Sequence, residues 1–228
     1  MKDKRYFCVS LALTLLCNRL AYCGGRLLGQ GRFHYDLTLP VDTQIPILPW
    51  TVSIYFGCFL FWILLYGRVS MLPREQSDRF FCANLLAKGI GFLFFVLLPT
   101  TNVRPVLPGT TIWDAIMRFL YRIDDADNLF PSFHCMIAWL CWVGVRRNRD
   151  VPVAWRASAL VMAIAVCLST LTTRQHVLAD VFGGVLLGEC CYALSGTKKL
   201  RRGYAALADG VILRINGMKG GLRHDEQT

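Results

Sequence analysis

Two of the four histidines in this 228-residue chain stand among neighbours that suit phosphoryl chemistry. His176 and Asp180 are four residues apart, so on a helix starting near Thr173 they share a face, and the carboxylate accepts from one imidazole N–H. That bond fixes the tautomer and leaves the other ring nitrogen free to attack an electrophile. His134 follows Pro131 and Ser132, which read as a helix start with Ser132 as its cap. Such a start aims unpaired backbone N–H groups and the positive end of the helix dipole toward an anion. His134, one turn inside, is then placed to give a proton to a leaving oxygen. Arg104 and Arg174 carry guanidinium forks that suit the equatorial oxygens of a phosphoryl group in transfer. Each feature alone has a plainer explanation: a satisfied polar pair, a capped helix with a buried histidine, an interface anchor. It is their convergence at one level of the chain that favours a site.

The elements that position these residues are apolar. The composition is 54% hydrophobic with a mean hydropathy of +0.42, too apolar for an ordinary soluble domain. Six segments approach the length of a membrane-spanning helix: residues 6–22, 49–65, 80–98, 129–145, 153–171 and 177–194. The first is interrupted by Asn18 and Arg19, with Arg19 read as a residue whose charge snorkels to the interface. Because it follows Lys2, Lys4 and Arg5, this segment also has the form of a secretory signal with Ala21-Tyr22-Cys23 near a cleavage point. The fourth is short and opens on the polar motif. The expected fold is an all-α integral membrane protein, a bundle of about six transmembrane helices in one domain over residues 1–228. Residues 203–218 read as a short interfacial helix, weakened by Gly210 and Gly217.

The formal charge of +10 raises a nucleic-acid partner, but the basic residues sit in short clusters between apolar runs, a pattern of membrane topology. Seventeen of the 25 fall on the side of a cytoplasmic N-terminus: Lys2, Lys4, Arg5, Arg68, Arg74, Arg79, Arg146, Arg147, Arg149, Arg156 and the seven in the tail at about 196–228. Six fall on the other side, which collects Asp36, Asp42, Asp114, Asp124, Asp125 and Asp127. The positive-inside rule then puts the 24–50 and 99–130 loops, and with them the active site, at the extracytoplasmic ends of helices three to six. Nine of the ten cysteines lie in apolar stretches without ligand spacing and read as small packing residues.

On these residues the chain resembles the type 2 phosphatidic acid phosphatase (PAP2) superfamily, over about residues 100–184. That family combines Lys-x6-Arg-Pro, Pro-Ser-x-His and Ser-Arg-x5-His-x3-Asp motifs in a metal-independent site that forms a phosphohistidine. Arg104 matches the arginine of the first motif, Ser132 and His134 the second, and Ser169, His176 and Asp180 the third. Leu97 stands where the lysine would be and Thr170 where the arginine would be. Arg174, two before the histidine, and Asp124-x3-Asn128 ahead of Pro131 are similar to a variant branch that includes inositolphosphotransferase-like members.

The resemblance implies a membrane lipid phosphatase acting on a phosphomonoester or diphosphate. His176 is its nucleophile, His134 its acid and base, Asp180 the residue that orients His176, and Arg104, Ser132, Arg174 and Ser169 the phosphate-binding set. The alternative is a headgroup transferase in which an alcohol replaces water, with Asp124 and Asn128 holding a polyol or merely ordering their loop. A third is a noncatalytic protein on the same fold, which the two histidines disfavour. Zinc on His134, His176 and Asp180 lacks a fourth ligand and faces arginines, so no metal or other cofactor is expected. The implied partners are a phosphorylated lipid and the bilayer of a cell membrane, a bacterial inner membrane, with no nucleic acid.

Overall fold

The structure, a computed structural model, describes residues 4–225, with side chains through residue 217. Lys2 lies outside the described residues, and Lys219 and Arg223 outside the described side chains. Eight α-helices follow one another: α1 Lys4–Gly29, α2 Val52–Ser70, α3 Arg74–Leu97, α4 Ile112–Ile123, α5 Phe133–Val145, α6 Val153–Thr172, α7 Leu178–Leu194 and α8 Lys198–Asp225. All six apolar segments are helical, and the molecule is an all-α membrane bundle. The helices α1, α3 and α6, and α2 counted from Pro49, are each long and apolar enough to cross a membrane.

The α5 and α7 segments are shorter than a spanning helix needs. With 13 residues, α5 is about 20 Å long. A 92° bend separates α7 from α8, and α7 is long enough to cross a membrane only when joined with α8. Both begin inside the bundle, where Ser132 and Asp180 are buried, so their outer turns are replaced by site residues and the loops that cover them.

The central helix is α3, which packs on α1, α5, α7 and α8. Its buried Phe80, Phe81, Ala83, Ala87 and Phe95 join Phe133, Met136 and Leu140 of α5 in the main core. Where α5 meets α7, a Cβ on Gly184 would run into the carbonyl oxygen of Ser132. The missing side chain lets the two backbones touch at the level of the histidines. At the opposite end α8 is bound back to the bundle through Tyr204 to Ser10 (2.7 Å) and Arg74 to Asp209 (2.9 Å). It is a full helix from Lys198 onward, longer than the interfacial segment expected at 203–218. Gly203, Gly210 and Gly217 face open space, so they weaken it without breaking a contact.

The site end is closed by loops that are tied together. Tyr35–Asp36 and Thr100–Thr101 form a two-residue parallel ladder, β1 and β2. Thr100 Oγ1 accepts from the N–H groups of Leu129 and Phe130, at 3.1 and 2.8 Å. The 99–130 loop also contains α4, which the apolar pattern does not reveal. Its start is set by a capping box: Thr111 Oγ1 accepts from Asp114 N at 3.2 Å, and Asp114 Oδ2 accepts from Thr111 N at 3.0 Å. Met117 and Leu120 are its buried side, while Ile112, Trp113, Phe119 and Ile123 are exposed.

Candidate active site

The α5 helix begins as its sequence predicts. Ser132 is the N-cap, accepting from Cys135 N at 3.3 Å, and its own N–H donates to the Asp180 carbonyl at 3.0 Å. Cys135 and Met136 are thus capped by Ser132, which leaves the N–H groups of Phe133 and His134 without a partner among the described residues. The Ser132 hydroxyl is buried and accepts from its own helix.

His176 sits in the turn between α6 and α7, with its Nδ1 3.2 Å from Asp180 Oδ2. The same carboxylate oxygen accepts from Val177 N at 3.1 Å, which locks Asp180 in the first turn of α7. Burial disfavours the imidazolium, but the hydrogen bond and charge of Asp180 outweigh it and hold the pKa of His176 above the ordinary imidazole value. With Nδ1–H donated to Asp180, Nε2 carries the lone pair. The turn is shaped by the Thr170 carbonyl, which accepts from Gln175 N (3.0 Å) and His176 N (3.1 Å).

The His134 ring centroid is 6.1 Å from that of His176. Its Nδ1 lies 3.3 Å from the Tyr55 hydroxyl, which donates to Asp124 Oδ2 at 3.0 Å. Since that hydroxyl has one proton and gives it to a carboxylate, His134 Nδ1 must be the donor toward Tyr55, which leaves its Nε2 without a hydrogen-bond partner among the described residues. Both histidines are therefore held by Nδ1 and present Nε2, one through a carboxylate directly and the other through a phenol and a carboxylate. Tyr55, Trp62 and Phe59 surround the His134 ring at centroid distances of 4.3, 5.6 and 6.0 Å. A cavity of about 470 Å³ opens from His134 between α1, α2, α4 and α5.

Of the two arginines, Arg104 alone joins this arrangement. Its Nη2 donates to Gln175 Oε1 at 2.8 Å, Nη1 donates to the Asp124 carbonyl, and the guanidinium stacks over Tyr121 at 5.0 Å. Its Nε and the Nε2 of Gln175 are buried donors with no partner among the described residues. Such orphans beside His176 are what a bound anion would satisfy.

Arg174, expected in the phosphate-binding set, has a φ of 54° and donates from its guanidinium to the carbonyl oxygens of Asp42, Thr43 and Ile45. Asp42 in turn accepts from Leu178 N (2.8 Å) and Leu39 N (2.8 Å), so Arg174 and Asp42 together fasten the 39–45 loop across the start of α7. The Ser169 hydroxyl donates back to the Val166 carbonyl at 2.9 Å and the side chain is buried in α6. Asn128, at a φ of 52°, donates to the Tyr22 carbonyl at 3.2 Å and orders its loop against α1. Asp124 stays at the site, at the cavity wall and as the acceptor for Tyr55.

Leu97, where the family lysine stands, is exposed, and Thr170 donates to the Cys167 carbonyl at 2.8 Å. Lys88 cannot replace the lysine: it is buried in α3 and its Nζ donates to Asn84 Oδ1 at 3.3 Å. Tyr55, Gln175 and Asp42 escape the sequence reading. Gln175 alone had a local signal, lying beside the histidine; a tyrosine near the end of an apolar helix looks like any interface residue.

No curated protein and no solved structure matches the chain. The profile of the PAP2 superfamily matches residues 42–194, a span that begins at the loop aspartate clamping α7 and takes in Tyr55, Arg104, both histidines and Asp180. The match covers more than half of the sequence and runs from α2 through α7, so the chain belongs to the PAP2 superfamily.

Proposed function

We propose that this phosphatase-type fold hydrolyses a phosphorylated lipid through a phosphohistidine on His176. Nε2 of His176 attacks phosphorus in line, the bond to the lipid oxygen breaks, and His134 Nε2 gives its proton to that oxygen. His134, then neutral, takes a proton from water as the water attacks phosphorus. The P–N bond breaks, inorganic phosphate leaves and both histidines return to their starting states. Arg104, Gln175 Nε2 and the free N–H groups at the start of α5 neutralise the charge that grows on the phosphoryl oxygens. Asp180 orients His176, and Tyr55 with Asp124 orients His134.

The observation that carries this reading is the facing pair of histidines, each anchored by Nδ1, with ring centroids 6.1 Å apart. Water is favoured over an alcohol acceptor because Asn128, half of the polyol pair, is engaged by the Tyr22 carbonyl. The basic-residue asymmetry supports an extracytoplasmic site.

The test is phosphate release from a lipid phosphate in mixed micelles. The His176→Ala protein should keep its melting transition and lose roughly 10³-fold or more in kcat. Wild-type turnover should persist in EDTA and be inhibited by vanadate, which adopts the five-coordinate geometry of the transferring group. Near-normal release by folded His176→Ala protein, or inactivation by EDTA that zinc reverses, would contradict the proposal.

A further inference from the structure

The cavity beside His134 contains polar groups that phosphoryl transfer does not use. Its rim is charged: Arg26 pairs with Asp125 at 3.2 Å and with Asp127 at 2.7 Å. Its lower wall is apolar, with Leu15, Phe59 and Ile137, except for Asn18, Arg19 and Trp62. Asn18 Oδ1 and Trp62 Nε1 are shut off from solvent without a hydrogen-bond partner among the described residues. Arg19, exposed at the cavity wall, has no hydrogen-bond or ion-pair partner there either. Trp62 is seven residues along α2 from Tyr55, and Arg19 is seven residues before Arg26 on α1, so both lie roughly 10 Å deeper than the rim. Polar atoms buried without a partner, as Asn18 Oδ1 and Trp62 Nε1 are among the described residues, are costly. The cavity is lined by α1 on one side and α2 on the other, and α1 packs chiefly on α3.

Resting on the proposed phosphate position at His134, we infer that Asn18, Arg19 and Trp62 form a second recognition site that hydrogen-bonds the carbonyl, amide or hydroxyl groups of the lipid backbone next to the phosphate. A glycerol- or sphingoid-based lipid phosphate carries such groups within the first few atoms beyond its phosphate. A polyprenyl phosphate has hydrocarbon there and would leave all three side chains unpaired. The site therefore selects the first class against the second by the penalty of unmade hydrogen bonds.

Binding and turnover test this separately. In nanodiscs of phosphatidylcholine, the His176→Ala protein is loaded with radiolabelled phosphatidic acid and challenged with phosphatidic acid, ceramide 1-phosphate or a polyprenyl monophosphate. One of the first two should displace the label about tenfold better than the polyprenyl phosphate, and whichever leads tells an ester from an amide backbone. Trp62→Phe, which removes the N–H and keeps a ring, and Arg19→Gln, at an exposed position, should each reduce that ratio about fivefold. Equal or better competition by the polyprenyl phosphate, a ratio unmoved by both substitutions, or no binding of any of the three lipids would overturn the inference. Wild-type turnover of p-nitrophenyl phosphate, which has no lipid backbone, reports on the catalytic reading. If that fails while the lipid order holds, the chemistry is wrong and the recognition site stands.

Discussion

The Nδ1 of His176 is tied to Asp180 at 3.2 Å, and that tie has a consequence in pH. In the proposed mechanism His176 attacks in its neutral form, and Asp180 holds its pKa above the ordinary imidazole value against the opposing effect of burial. Activity is accordingly lost as pH falls through that raised value, so the acid limb of kcat/KM should lie above the range of a free imidazole. In Asp180→Asn the limb should move to lower pH while the plateau falls by roughly 10²-fold. A pH titration of both proteins checks this, and an unmoved limb would show that the titrating group is not His176. The His176–Asp180 pair was legible in the sequence because a four-residue spacing is local. The fate of Arg174 was not: its side chain reaches backbone more than 125 residues away, at Asp42, Thr43 and Ile45. The Ser169 hydroxyl bond to Val166 was not legible either, although a hydroxyl in a helix commonly finds the carbonyl of the preceding turn.

The active geometry depends on how α5 meets α7. Gly184 lets the Ser132 carbonyl approach the α7 backbone, and Ser132 N donates to the Asp180 carbonyl at 3.0 Å, so the start of one helix is registered against the first turn of the other. Gly184→Ala should push α5 outward, costing about 1–3 kcal/mol of stability and drawing His134 away from His176. The expected outcome is a lowered melting transition with kcat reduced more than KM is raised, measured on purified protein. Unchanged stability and turnover would mean that the contact is slack. Apolar runs announced the six bundle helices because a spanning helix must be apolar along its length. They overstated α5 and α7 as independent spans, since both begin within the molecule. They missed α4, which is too short for a span and is interrupted by Asp114, Arg118 and Arg122, although Thr111 and Asp114 carried its capping signal in plain sight.

At the scale of the whole molecule, the histidines, Arg104, α4 and the tied loops occupy one end of the bundle, and the basic clusters from Arg68 to Arg79 and from Arg146 to Arg156 belong to the other. Cysteines placed at Val106 and at Arg149, with exposed Cys8, Cys23 and Cys190 replaced by serine, should report this in intact cells. An impermeant maleimide should label position 106 and spare position 149. The reverse pattern would put the site in the cytoplasm and change the lipids that reach it. The central claim is the covalent bond between His176 and phosphorus, and rapid quenching tests it most directly. Protein mixed with ³²P-labelled lipid phosphate and quenched in alkali within the first turnover should carry label that is stable to base, labile to acid and located on the peptide containing His176. His176→Ala protein should carry none. Turnover by the wild type without any labelled protein at the earliest times, or label that persists in the His176→Ala variant, would contradict the account.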